Sequence, residues 1–168
     1  MATEAFRGEV HQKVDAKARV SIPAAFRRIL EAADAAGGDR PRLYMVYGGK
    51  GRRFVECYSK AGADDLARRI ESMELGSLER DRAERDLISR SAMVEIEPDG
   101  RIVLPPKVRE KMGFGANDLS AGGEAVFVGA ANRFKLFRAE VYEAELEDED
   151  DDGSVDPLAL VGRAQARG

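Results

Sequence analysis

The side chains with chemistry to offer in this 168-residue chain are arginines and carboxylates. Asp15 and Arg19 stand four residues apart, with Lys13 and Lys17 between and before them and Arg27 and Arg28 close behind; Arg101, Lys107 and Arg109 repeat part of that set further on. A guanidinium offers parallel N–H donors that fit guanine O6 and N7, or a phosphate, in a bidentate way. A carboxylate four residues away could hold such a guanidinium at a fixed angle, or could simply pair with it to close a turn. The neighbouring cations Lys13, Lys17, Arg27 and Arg28 suit phosphate positioning rather than base reading. Catalysis has less to work with. A single Cys57 and a single His11 leave too few ligands for a Cys/His zinc site and exclude an internal disulfide framework. No Gly-x-Ser-x-Gly elbow, P-loop or Gly-x-Gly-x-x-Gly fingerprint is present, and neither Ser21 nor Cys57 has a base beside it. His11 reads as an exposed or partner-facing ring and Cys57 as a buried small hydrophobe. The expectation is a protein that binds rather than catalyses, with no cofactor and no metal.

The net charge of -4 hides two regions of opposite sign. Residues 141–168 hold nine acidic residues against Arg163 and Arg167, leaving 25 basic against 22 acidic residues in 1–140. Most of those basic residues are arginines, so the body is mildly basic in a form that permits nucleic-acid binding. The run Glu147–Asp152 repels itself and has nothing to bury; it is expected to be disordered or a frayed helix end, either a solvated tail or a competitor of DNA phosphates for the basic face. With no run near the ~20 apolar residues of a membrane span and no signal-peptide h-region, a cytoplasmic protein is expected.

The elements that must position these residues repeat. Val14 to Arg27 recurs 82 positions later as Ile96 to Arg109. Each copy reads apolar, acid, three residues, Arg, apolar, any, apolar, Pro, any, any, apolar, Arg, which marks an internal duplication. Val10, Gln12 and Val14 alternate with His11 and Lys13, and Val20 and Ile22 with Ser21, as half-buried strands do. Pro98-Asp99-Gly100 supplies a turn between strands in the second copy, whereas Ala16-Lys17-Ala18 in the first has no such chemistry of its own. Pro23 and Pro105 open short helices whose inner faces are Phe26, Ile29 and Leu30 in one copy and Val108 and Met112 in the other, with Gly113 as terminator. A second hairpin follows each helix, around Gly48–Gly51 and Gly129–Asn132. Two connecting helices are expected at 62–75 and 78–91, the second with Asp81/Arg85 and Asp86/Arg90 as i,i+4 pairs, and a closing helix at 139–146. The fold class expected is mainly β with short helices (α+β).

Phe6-Arg7-Gly8, the first Asp15-x-x-x-Arg19-Val20-Ser21-Ile22-Pro23 with Phe26-Arg27, the second copy, and Asn132-Arg133-Phe134, in that order, resemble the bacterial MraZ family over about residues 6–146. The resemblance implies two tandem swapped-hairpin SpoVT/AbrB-like halves, 6–58 and 92–146, interlocked into a pseudo-dimeric double-split β-barrel, with a helical connector at 59–91 and the acidic tail at 147–168. It implies a DNA-binding repressor, nucleoid-associated, that assembles into closed rings on direct repeats in the promoter of the division and cell-wall gene cluster. Arg19 is then the signature DNA-contacting residue, Asp15 its orienting partner, Arg101, Lys107 and Arg109 the second-copy counterparts, and Arg7 a DNA or inter-subunit contact. Two positions depart from the family pattern. Ala18 stands where the first turn has Gly, so a left-handed turn there carries a penalty, and Glu97 stands where the second copy has Asp, with Asp99 as substitute. The first half is expected to carry more of the DNA contact. Two other readings remain: an AbrB-type antitoxin, which the tandem copy argues against, and a protein-interaction platform contacting an RNA methyltransferase, a partner attributed to the family.

Overall fold

A computed structural model describes residues 4–115, 117–149 and 156–167. Eight strands form one antiparallel sheet, nearly closed and barrel-like: β1 Glu9–Val14, β2 Arg19–Ser21, β3 Arg42–Val46, β4 Val55–Ser59, β5 Ser91–Glu95, β6 Arg101–Val103, β7 Gly123–Gly129 and β8 Phe134–Arg138. Among the described residues there are also six short α-helices: α1 Ala24–Ala32, α2 Lys60–Glu71, α3 Leu78–Ala83, α4 Pro106–Met112, α5 Ala139–Glu149 and α6 Pro157–Arg167. The architecture is therefore mainly β with short helices, as alternation and turn residues led one to expect, and barrel-like, as the resemblance implied. Among the described residues no helix is long and apolar enough to cross a membrane.

The strand order is β5-β3-β4-β8-β7-β1-β2-β6, so strands of the first repeat (β3–β4, β1–β2) alternate with strands of the second (β5, β8–β7, β6). Neither repeat has a complete sheet of its own. Where they meet, the duplication becomes geometry. Val20 pairs with Ile102, its own counterpart 82 residues on, flanked by Arg19 opposite Val103 and Ser21 opposite Arg101. The bonds beyond the ladder are reciprocal: Ile22 N–H donates to Gly100 O (2.9 Å) and Leu104 N–H to Ala18 O (2.8 Å). A local twofold thus runs through Val20 and Ile102, both fully buried.

The core lies inside this interlock. Phe26 of α1 packs against Phe134 of β8 (centroids 5.0 Å) and Phe127 of β7 (6.4 Å), with Phe6 at 5.3 Å closing the cluster. Phe6 itself reaches across to Ala131 in a two-way backbone bridge. Around it Leu30, Leu43, Met45, Ile96, Leu104 and Met112 are sealed from solvent. A half of ~50 residues buries too little apolar surface to stand alone, and sharing one core removes the difficulty. Cys57 belongs to this interior; burial pushes its thiol up, out of reach of thiolate chemistry.

One buried charge pins α1 to the sheet. Asp34, 3% exposed, accepts from the Arg42 backbone N–H (2.9 Å), Nε (2.9 Å) and Nη2 (2.7 Å). The Arg42 guanidinium, foremost, draws its carboxyl down from 3.8 to about 2. Because the folded value lies below the unfolded one, this contribution is present above about pH 4 and is lost as pH falls through 2. Arg42→Met leaves the buried carboxylate unpaired, and a fall in Tm of about 8 °C at pH 7 is expected, read by calorimetry, with a smaller loss near pH 2.

The connector differs from its expectation. The first helix is α2, two residues earlier than periodicity placed it, because Ser59 caps it by accepting from Gly62 N–H (3.0 Å). The second is helical only to Ala83 and continues as a π turn over Glu84–Ser89. Asp86 and Arg90 pair as expected (3.3 Å), but Arg85 turns to Asp86 rather than Asp81, since the wider turn breaks the 3.6-residue register. Gly48 lies against the Asp86 backbone, where any Cβ would clash, and so fixes the turn from outside. In the acidic tail, α5 carries the chain helically to Glu149, and the rest of the Glu147–Asp152 run lies outside the described residues. Beyond it, α6 runs from Pro157 with Asp156 accepting from Leu158 N–H (3.0 Å), an Asp-Pro start signal that the sequence carries.

Candidate nucleic-acid interface

Both copies of the strand-turn-strand close in the same way. Asp15 N–H donates to Arg19 O (3.0 Å) and Ala18 N–H to Asp15 O (2.9 Å); Glu97 N–H to Arg101 O (2.9 Å) and Gly100 N–H to Glu97 O (2.7 Å) do likewise. The residue before each arginine must take positive φ, and it does: Gly100 at 86° and Ala18 at 63°. Ala18 therefore accepts the left-handed conformation at a cost of roughly 1–2 kcal/mol, which burial of its methyl partly offsets.

The arginines are held by carboxylates at different positions of the two turns. Asp15 Oδ1 accepts from the backbone N–H of Lys17 and of Arg19 (both 2.9 Å), while Oδ2 accepts from Arg19 Nε (2.9 Å). Those bonds, that of the Arg19 backbone foremost, hold the Asp15 carboxyl below the ordinary carboxylate range. In the second turn Glu97 does not do this. Asp99, two residues along, accepts from Arg101 Nε (2.8 Å) and from its backbone N–H (3.1 Å), and its carboxyl is likewise lowered, foremost by the Arg101 guanidinium. The Nε contact fixes each guanidinium plane while its far edge stays toward solvent; the Arg19 and Arg101 side chains are 36% and 39% exposed.

Alternation does the rest. With Val20 and Ile102 inward, Arg19, Ser21, Arg101 and Val103 all point outward, the two arginines on diagonal positions about 7 Å apart. They border one groove of about 620 Å³ with Lys13, Asp15 and Ser21. Glu124 and Glu140 stand at its rim; Glu124 is engaged by the exposed His11 (2.5 Å to Nδ1) and Glu140 by Arg138.

The remaining sequence candidates fall in different places. Arg27 spans the repeats: Nε donates to Glu31 (2.9 Å) and Nη2 to Pro98 O (2.8 Å), so it braces the second turn from the first repeat's helix. Arg28 is exposed beside it. The counterpart of Arg27 is Arg109, beside Ala16 of the first turn in a hollow of about 630 Å³; Gly113 stands where Glu31 stands in the first copy, and the buried Nε of Arg109 meets no acceptor among the described residues. Lys17 is exposed at the first turn, and Lys107 on α4 is exposed with Glu110 at 3.9 Å. Arg7 is not part of this group. It lies at the other end of β1, against Gly129 and the Phe6–Ala131 bridge. Sequence reasoning did not single out Arg133, which with Arg52 encloses the buried carboxylate of Glu56 far from the turns; the Asn132-Arg133-Phe134 motif carries that structural pairing.

Removing the Asp15 side chain should loosen Arg19 without opening the fold. For Asp15→Ala a loss of about 3 °C in Tm is expected, measured by scanning fluorimetry.

No family model matches the chain. Similar curated proteins share its sequence over most of their length. It is 48% identical over 149 residues to the transcriptional regulator MraZ of Cereibacter sphaeroides, covering 88% of each chain. To that of Ruegeria pomeroyi it is 39% identical, covering 83% of this chain and 81% of the relative, and to that of Parvibaculum lavamentivorans 33%, covering 83% and 79%. With identity of this level over more than four-fifths of its length, the chain belongs to the MraZ family of transcriptional regulators.

Proposed function

We propose that this chain regulates transcription by reading double-stranded DNA directly, as a closed homo-oligomeric ring that represses its own division and cell-wall gene cluster through direct repeats in the promoter. The observation that carries the reading is the convergence of Arg19 and Arg101 on one outward face, each held through Nε by a carboxylate of its own turn. A guanidinium fixed in this way keeps its bidentate edge available for guanine with little rotamer entropy left to lose. Lys13, Lys17 and Arg28 flank that face as phosphate contacts, with Arg109 beside the first turn, Lys107 exposed on α4 and Arg27 bracing the second turn. In this reading residues 6–58 and 92–146 are the two halves, and several copies in a ring sum weak contacts to successive repeats through effective concentration.

The test is fluorescence anisotropy on the chain's own upstream promoter and on a scrambled duplex, at two salt concentrations. Preference for the promoter is expected, with affinity falling by about a thousandfold between about 50 and 200 mM salt if some six phosphates are neutralised by the assembly. Equal, weak binding to both duplexes would instead favour a protein-interaction platform, such as one contacting an RNA methyltransferase.

A further inference from the structure

The ladder at the centre of the interface breaks its own symmetry at one position. The twofold through Val20 and Ile102 relates Arg19 to Arg101, and it relates Ser21 to Val103. Serine is an ordinary residue for the outward face of a strand. Val103 is not: it is 45% exposed, directly opposite Arg19 and two residues from Arg101, the one apolar side chain of the four that point outward. A lone surface valine needs no function in general. This one shares the outward face of the ladder with two arginines, paired opposite Arg19 and two residues along its strand from Arg101, each guanidinium held by a carboxylate, Asp15 or Asp99.

Resting on the DNA-reading role above, we propose that Val103 is a specificity-determining residue that packs against the 5-methyl group of a thymine. In the major groove that methyl is the apolar feature of the base edges, and aliphatic side chains recognise it by contact. Directly paired residues on a ladder have Cβ atoms about 5 Å apart, and stacked base pairs are spaced by about 3.4 Å. The thymine touched by Val103 therefore lies within about one or two base-pair steps of the base held by Arg19. Ser21 beside Arg101 offers a hydroxyl that accepts or donates to any base edge, so it makes no matching demand. The two arginines thereby gain unlike apolar surroundings: one reads beside a methyl-selective surface and the other beside an indifferent one.

The experiment uses the full chain and its upstream promoter duplex in two forms, with thymine or with deoxyuridine at every T, which removes only the methyl groups. For the unaltered chain the uridine duplex is expected to bind about fourfold more weakly, the effect of one buried methyl per site. Val103→Ser, which installs the residue of the other repeat, is expected to bind both duplexes alike, and Val103→Ile to keep the ratio. Val103→Thr retains one methyl and should give an intermediate ratio, a check that survives if serine perturbs the strand. The inference is overturned if the unaltered chain binds both duplexes equally or if Val103→Ser keeps the full ratio. A change in sedimentation on Val103→Ser with the ratio intact overturns it too, and assigns the valine to a contact between copies. Absence of any promoter preference in the unaltered chain is a separate signal, since it removes the DNA-reading role itself.

Discussion

Replacing Arg19 with alanine is expected to remove the preference for promoter over scrambled DNA while leaving the fold and the assembly in place. The Arg19 side chain is over a third exposed and makes one ion pair, to Asp15, whereas the two bonds Asp15 accepts from backbone N–H groups persist without it. Its removal therefore costs the turn little. A bidentate arginine–guanine contact distinguishes the right base from a wrong one by about 2 kcal/mol, so a loss of about thirtyfold in preference is expected for each contact removed, more where several copies bind together. Residual binding should keep most of its salt dependence, because the phosphate-facing lysines remain. Anisotropy against both duplexes, with sedimentation velocity on the same sample, separates the outcomes. Should Arg19→Ala dissociate or unfold the protein, the Asp15–Arg19 pair is a structural clasp and the reading role falls.

Phe26→Ala is expected to destabilise the whole molecule, not its first repeat alone. The ring sits at the hub of a cluster built from Phe6, Phe127 and Phe134, two of them from the second repeat. Truncating a fully buried phenylalanine costs about 4 kcal/mol, here a fall in Tm of roughly 10 °C. Because the strands alternate between repeats, the loss should appear as one cooperative transition. Hydrogen exchange at Leu136 and Phe127, both in the second repeat, should accelerate together with exchange at Leu43. Two separate transitions, with the second-repeat amides unchanged, would show that each repeat holds its own core.

Much of the interface was legible because its signals are local. The Asp15-x-x-x-Arg19 spacing, the Pro after each strand and the 82-residue repeat all act within a few residues of chain, where steric and hydrogen-bond preferences are strong. Even the departures are legible: Ala18, a strained substitute for glycine, adopts φ 63°, and Asp99, the acid nearest in sequence that can replace Glu97, holds Arg101. Periodicity failed where tertiary contact rewrites the backbone. The helix expected at 78–91 stays α-helical only to Ala83 and then becomes a π turn against Gly48, a residue more than thirty positions away. Arg27 and Arg109 look equivalent in sequence, yet one braces a turn and the other lines a hollow, because Glu31 has no acidic counterpart at Gly113.

By itself the sequence determined the repeat, the strand and turn sites, the acids available to hold each arginine, and the inward-outward alternation that sends Arg19 and Val103 to one face of their strands. Those follow from the two-residue period of a strand and from turn sterics, which no distant residue needs to supply. Only the tertiary structure decided that the two copies pair with each other through Val20 and Ile102. That register places Arg101 beside Arg19 and sets Val103 opposite it, and it is selected by a buried core shared between the repeats, a property of the assembled sheet that no window of sequence contains.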